Sequence, residues 1–220
     1  MQGRETGGMS RATLLRRAGV IGVAAAVPAG AVVGAAAAPQ RERLETFTAA
    51  EADVVEAMLE RLIPSDASGP GATEARVLRY VDRALAGDLA PSRAAYTGGI
   101  ADTDAYARSR FGTGFAELAG AQQDTVLSEM EQGIAPGLRP FFELVREHGL
   151  QGMFGDPVHG GNEDFAGWDL LGFTGIKMVY TEAEQQLDVA VVPAHKSAVD
   201  YPLWSGARGG GSGKDEHGHS

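Results

Sequence analysis

The chain has 220 residues, 44% of them hydrophobic and 22% charged, which suffices for one ordinary domain with a real core. It contains no cysteine, which excludes disulfides, thiolate metal sites, iron–sulfur ligation, c-type haem attachment and a lipidated N-terminal cysteine. The net charge is −10, and because residues 1–38 carry +3, the remaining body carries −13 and repels nucleic acid and anionic membrane.

Residues 1–38 have the layout of an export signal. Arg11, Arg16 and Arg17 form a basic region, a weakly apolar run of Ala, Val, Gly and Ile follows, and small residues close it, with cleavage expected near Ala36–Ala38. Pro28 and the glycines disfavour a stable spanning helix, and an uncleaved anchor stays open as the alternative to a cleaved signal. The run Ser10-Arg11-Ala12-Thr13-Leu14-Leu15-Arg16 resembles a twin-arginine signal in which Ala12 replaces the second arginine. Arg16-Arg17 is a true pair but lacks the usual serine before it and the leucine-type residue after it. A twin-arginine route would export an already folded protein, often with cofactor bound; the alternative is an ordinary secretory signal with several arginines. Either route places the chain in the periplasm or on the outer face of the cytoplasmic membrane. Residues 39–43 read as a linker.

The body, residues 44–186, is expected to be all-α, a single domain of five or six helices with a long ordered Gly-rich C-terminal loop. Thr46 to Ile63 is the clearest element: Thr48-Ala49-Ala50-Glu51 fits a capping box. Val54, Val55, Met58, Leu59, Leu62 and Ile63 make one broad apolar face, and Pro64 stops it. Helical spacing returns around Glu74 to Leu85 with Val77, Leu78, Val81 and Leu85. A more polar helix spans 91–111, with Tyr96, Ile100, Tyr106 and Phe111 as packing residues. Phe115 and Leu118 lead into a short stripe of Val126, Leu127 and Met130 that ends near Gly133. Pro140 suits a first helical turn, Phe141, Phe142, Leu144 and Val145 follow, and Gly149 marks the region of the helix end. No segment alternates with period two, and no internal repeat of about 20–50 residues is visible. Residues 187–207 form a C-terminal extension, and the Gly-rich, charged stretch 208–220 has too little apolar surface to fold.

Residues 152–175, GMFGDPVHGGNEDFAGWDLLGFTG, hold seven glycines and two acidic clusters and are expected to form neither a regular helix nor a strand. Three readings compete. Asp156, His159, Glu163 and Asp164 offer metal ligands or acid–base groups, yet their spacing fits no metalloprotease helix, calcium loop or P-loop, and no GxSxG elbow is present. A purely structural loop would use Gly160-Gly161 for unusual backbone, Asn162 to bond its neighbours and Trp168 to roof the core. An interaction surface would use Trp168, Phe165 and Phe173 as anchors, with Asp156, Glu163, Asp164 and Asp169 on an acidic rim facing a basic partner.

The run Asp156-Pro157-x-x-Gly160-Gly161-Asn162, then Gly167-Trp168, then Gly172-Phe173-x-Gly175, resembles the C-terminal signature of the gluconate 2-dehydrogenase subunit 3 family. Upstream counterparts are Ile63-Pro64-Ser65-Asp66, Gly71-Ala72-x-Glu74-Ala75, Phe115-Ala116-x-Leu118 with Gln122-Gln123, and Phe141-Phe142-x-x-x-Arg146, so the likeness spans roughly 45–176. His159 stands where the family usually has tyrosine, and Thr174 where proline is common. The resemblance implies a non-catalytic small subunit that binds no cofactor itself. Its partner would be a large FAD-dependent dehydrogenase of the glucose–methanol–choline type acting on sugars, sugar acids or alcohols, with a cytochrome c subunit often receiving the electrons. Such a subunit frequently carries the export signal for the catalytic chain and engages the export machinery on its behalf. The contact residues expected on this reading are Asp156, Pro157, His159, Gly160, Gly161, Asn162, Phe165, Trp168, Gly172, Phe173 and Gly175. Two alternatives stay open: a free-standing periplasmic binding domain and a metal-dependent enzyme using the 156–164 loop.

Overall fold

A computed structural model describes residues 43–186 and 192–202. The expected export signal with Arg11, Arg16 and Arg17, most of the linker, and the tail 208–220 lie outside the described residues. Among the described residues there are helices and turns but no strand, and a lone bridge pairs Asp66 with Gly69.

Six α-helices follow in chain order: α1 Ala49–Leu62, α2 Val77–Ala86, α3 Arg93–Phe111, α4 Gly120–Glu131, α5 Arg139–Phe154 and α6 Ala166–Leu171. Helix α1 begins as its sequence dictates. The Thr48 side chain accepts from the Glu51 amide and the Glu51 carboxylate accepts from the Thr48 amide. Burial works to raise the Glu51 carboxyl, but the Thr48 amide and the Arg93 guanidinium, 2.7 Å away, hold it below the ordinary range. Helix α1 is the central element and packs on α2, α3, α4 and α5. Its Val54, Val55, Met58 and Leu59 are buried, each contributing about 1.5–3 kcal/mol of apolar burial. They meet Val77 and Val81 of α2, Tyr96 and Ile100 of α3, Val126 and Met130 of α4, and Phe141, Phe142 and Val145 of α5 in one cluster.

Two polar groups inside this core were not legible in the apolar pattern. Asp82 of α2 is buried and accepts from the amides of Glu45, Thr46 and Phe47 at 2.6, 3.0 and 2.8 Å. It thereby fixes the chain that enters α1 to the middle of α2. His148 of α5 is also buried, with Nδ1 3.1 Å from the Tyr96 hydroxyl and the two rings stacked at 5.8 Å. Burial pushes His148 below its ordinary value and Tyr96 above its own.

Two boundaries differ from the expectation. Helix α2 starts at Val77 rather than near Glu74, because Arg76 adopts a left-handed conformation (φ 53°). The preceding residues are tied into a turn in which Ala72 donates to the Ile63 carbonyl and the Glu74 carboxylate accepts from the Gly71 amide. Helix α5 runs past Gly149 to Phe154. Gly149 is no stop signal: a Cβ there would lie 2.8 Å from Leu59 Cδ2, so the missing side chain lets α5 approach α1.

Candidate partner-binding site

The irregular part of the 152–175 segment is shorter than expected. Gly152–Phe154 complete α5, and Ala166–Leu171 form α6, which corrects the expectation of a segment without regular helix. Between them run two 3₁₀ turns, Pro157–His159 and Glu163–Phe165. Asp156 starts the first, accepting from the Val158 amide at 2.9 Å, and Pro157 supplies the preset φ of its first position. Gly160 then reverses the chain with φ 100°. Asn162, Asp164 and Phe165 all lie in the left-handed region, a conformation that costs an L-residue about 1–2 kcal/mol each and persists only where its surroundings fix it.

Asn162 does much of that fixing. It is fully buried; its Nδ2 donates to the Gly155 carbonyl and its Oδ1 accepts from the Gly167 amide, both at 2.8 Å. It ties the end of α5 to the start of α6 across the turn. The close approach it imposes leaves no room for side chains at two positions. A Cβ on Gly161 would lie 2.2 Å from the Gly152 carbonyl oxygen, and one on Gly167 would lie 1.9 Å from that of Met153. Trp168 is 5% exposed, and its Nε1 donates to the Phe154 carbonyl at 2.9 Å. Phe165 and Phe173 flank its ring at 5.4 and 4.8 Å. Gly172 caps α6 in the left-handed region, and Gly175 repeats that conformation after Phe173.

The expected contact residues therefore divide. Gly160, Gly161, Asn162, Trp168 and Gly175 are buried, and the first four build the scaffold of the loop from within. His159, Gly172 and Phe173 are exposed, while Asp156, Pro157 and Phe165 are half-buried. Asn162 and Trp168 direct their polar atoms into the chain itself. The surface outside them is apolar: of the nine exposed large hydrophobic residues among the described ones, six (Leu170, Leu171, Phe173, Met178, Val179 and Tyr180) fall within 170–180. A shallow groove of about 600 Å³ adjoins the loop, bounded by Tyr80 of α2, Leu150 and Phe154 of α5, Asp156 and His159.

The acidic groups do not converge. Asp156 binds Ser197 and Ala198, Glu163 lies 3.6 and 3.7 Å from the Arg76 and Arg79 guanidinium groups, Asp164 is exposed, and Asp169 lies 2.7 Å from His195 Nε2. No group of three or more metal-ligating side chains gathers among the described residues. Burial acts to raise the Asp156 carboxyl, but the Ser197 hydroxyl, the Val158 and Ala198 amides and nearby His159 outweigh it and hold it below the usual range.

Sequence reasoning missed the C-terminal partners of this loop, His195, Ser197 and Tyr201. A signal for one of them existed: Ser197-x-x-Asp200 is a capping box, realised here over the turn Ala198–Asp200. The upstream motif was legible but not its purpose: Ala75 accepts from the Glu163 amide at 3.2 Å, joining the Gly71–Ala75 turn to the loop.

Among the described residues these features define a class: a helical domain carrying an internally hydrogen-bonded loop beside an exposed apolar stretch. The model of the family described as gluconate 2-dehydrogenase subunit 3 matches residues 49–175, and the chain belongs to that family. It is thus a small subunit of a dehydrogenase complex. No curated protein and no solved structure matches the chain.

Proposed function

We propose that this chain is the non-catalytic small subunit of an FAD-dependent dehydrogenase of the glucose–methanol–choline type, acting on a sugar, sugar acid or related alcohol. It binds the folded catalytic chain, stabilises it by mass action and carries it through export, so that the pair resides in the periplasm or on the outer face of the cytoplasmic membrane. A cytochrome c subunit is a further candidate partner. The observation that supports this reading is the division of labour in the 155–180 region. Its polar and strained elements are satisfied inside the chain, and its outer side offers Leu171, Phe173, Val179 and their neighbours to a second surface.

The test must avoid Trp168, whose removal would damage the loop before it touched any partner. Leu171→Asp with Val179→Asp alters residues that are 64% and 75% exposed. The doubly substituted chain should fold as before and lose co-purification with the flavoprotein. Retention of the partner at wild-type yield would refute the proposed surface.

A further inference from the structure

Residues 192–202 lie beyond the family match, which ends at 175, yet they return to the signature loop. The Ile176 amide donates to the Lys196 carbonyl at 2.9 Å, and the Ala194 amide donates to the Thr174 carbonyl at 2.6 Å. The Asp156 carboxylate accepts from the Ser197 hydroxyl at 2.5 Å and from the Ala198 amide at 2.9 Å. His195 stacks flat on Phe165 at 5.0 Å and places Nε2 2.7 Å from Asp169, and the Tyr201 hydroxyl donates to the Ile176 carbonyl at 2.6 Å. This is recognition of a short, turn-containing peptide largely through its backbone: His195 lies in the left-handed region (φ 43°), Ala198–Asp200 form a 3₁₀ turn, and one hydroxyl and one flat ring are the side-chain determinants.

The attachment is almost wholly polar. Ser197 is the one buried residue of the described 192–202 segment, and none of the segment belongs to the hydrophobic core cluster. Segments with so few apolar contacts open at low free energy. Opening would uncover the face of Phe165 on which His195 stacks; Phe165 and exposed Phe173 both flank Trp168, so the uncovered ring would add to the apolar surface assigned above to the partner.

We propose that residues 192–202 are an intramolecular ligand of the signature loop, occupying in cis a peptide groove that a turn-forming segment of the catalytic subunit takes over on docking. The inference rests on the subunit reading above. The incoming segment is defined by chemistry: a serine or threonine hydroxyl for Asp156, and an aromatic or imidazole ring two residues earlier for Phe165. The C-terminal segment then delays docking until a correctly shaped partner displaces it.

Two measurements test this on the full chain. Hydrogen exchange should show 192–202 slowed in the wild type and fast in the His195→Ala/Ser197→Ala variant, with α1–α5 unchanged; fast exchange in the wild type would overturn the cis contact. Affinity for the purified FAD-dependent subunit should rise about tenfold in that variant, the tax of a groove occupied about nine-tenths of the time. Unchanged or weaker affinity would overturn the competition. If neither chain binds the flavoprotein, the subunit reading falls and takes the partner half of the inference with it, while exchange still decides the cis half.

Discussion

Replacing Asn162 by alanine should destabilise the body of this protein more than its place in an irregular segment implies. The substitution leaves the buried Gly167 amide without an acceptor and the Gly155 carbonyl without its donor, for a loss of about 1–3 kcal/mol. Alanine must also hold φ 47°, which asparagine tolerates better, adding about 1 kcal/mol. The total of about 2–4 kcal/mol corresponds to a fall in Tm of roughly 5–15 °C for a body of this size. Far-UV circular dichroism during heating, with urea titration alongside, measures it. Asn162→Gly separates the two contributions: it loses the same hydrogen bonds but relaxes the backbone, and should recover about 1 kcal/mol. An alanine variant within about 0.5 kcal/mol of the wild type, or a glycine variant no better than alanine, would refute the assignment of Asn162 as the tie between α5 and α6.

Leu171→Asp/Val179→Asp should leave stability within about 0.5 kcal/mol of the wild type, because both side chains are exposed, while partner capture falls at least tenfold in a pull-down. Asp82→Ala removes the acceptor for three amides and should cost about 3 kcal/mol or more; limited proteolysis should then cut first around residues 43–48. Asp82→Asn keeps the oxygen that serves Thr46 and Phe47 but turns a donor toward the Glu45 amide, and should fall between the two. His148 is held neutral by burial, so the unfolded chain binds its proton more readily than the folded one. Stability should therefore be full above about pH 6.5 and fall as pH drops through and below that value, before Asp156 and Glu51 begin to protonate. Urea titrations of His148→Gln should show that segment of the pH profile flattened; an unchanged slope would contradict the assignment.

What the sequence made legible was whatever depends on local chemistry. Thr48 and Glu51 set the start of α1, and the spacing of Val54, Val55, Met58 and Leu59 set its buried face, because both follow from helix geometry alone. The end of α5 was misplaced because a glycine inside a helix has two physical uses. Gly149 serves close packing against Leu59, a tertiary fact that no local pattern records. Arg76 delayed the start of α2 for a similar reason, its turn being tied to Ile63 from the preceding helix. In the loop, the glycines, Asn162 and Trp168 were marked as special, but their residue types could not say whether they faced inward or outward. Burial assigns Asn162 and Trp168 to the scaffold and leaves Leu170, Leu171, Phe173, Met178, Val179 and Tyr180 exposed, a stretch in which the sequence reading named only Gly172, Phe173 and Gly175 as contact residues. Asp82, His148 and the 192–202 segment were missed because a buried carboxylate, a buried imidazole and a polar docking segment leave no periodic trace.

The measurement to make first is recovery of the tagged full-length chain from periplasmic and membrane fractions of its native cells, with an absorbance spectrum of the eluate. A larger chain bearing flavin absorbance, present in the wild-type eluate and missing from that of Leu171→Asp/Val179→Asp, is the result expected of a dehydrogenase small subunit that docks through the 170–180 surface. A lone, colourless chain would contradict it.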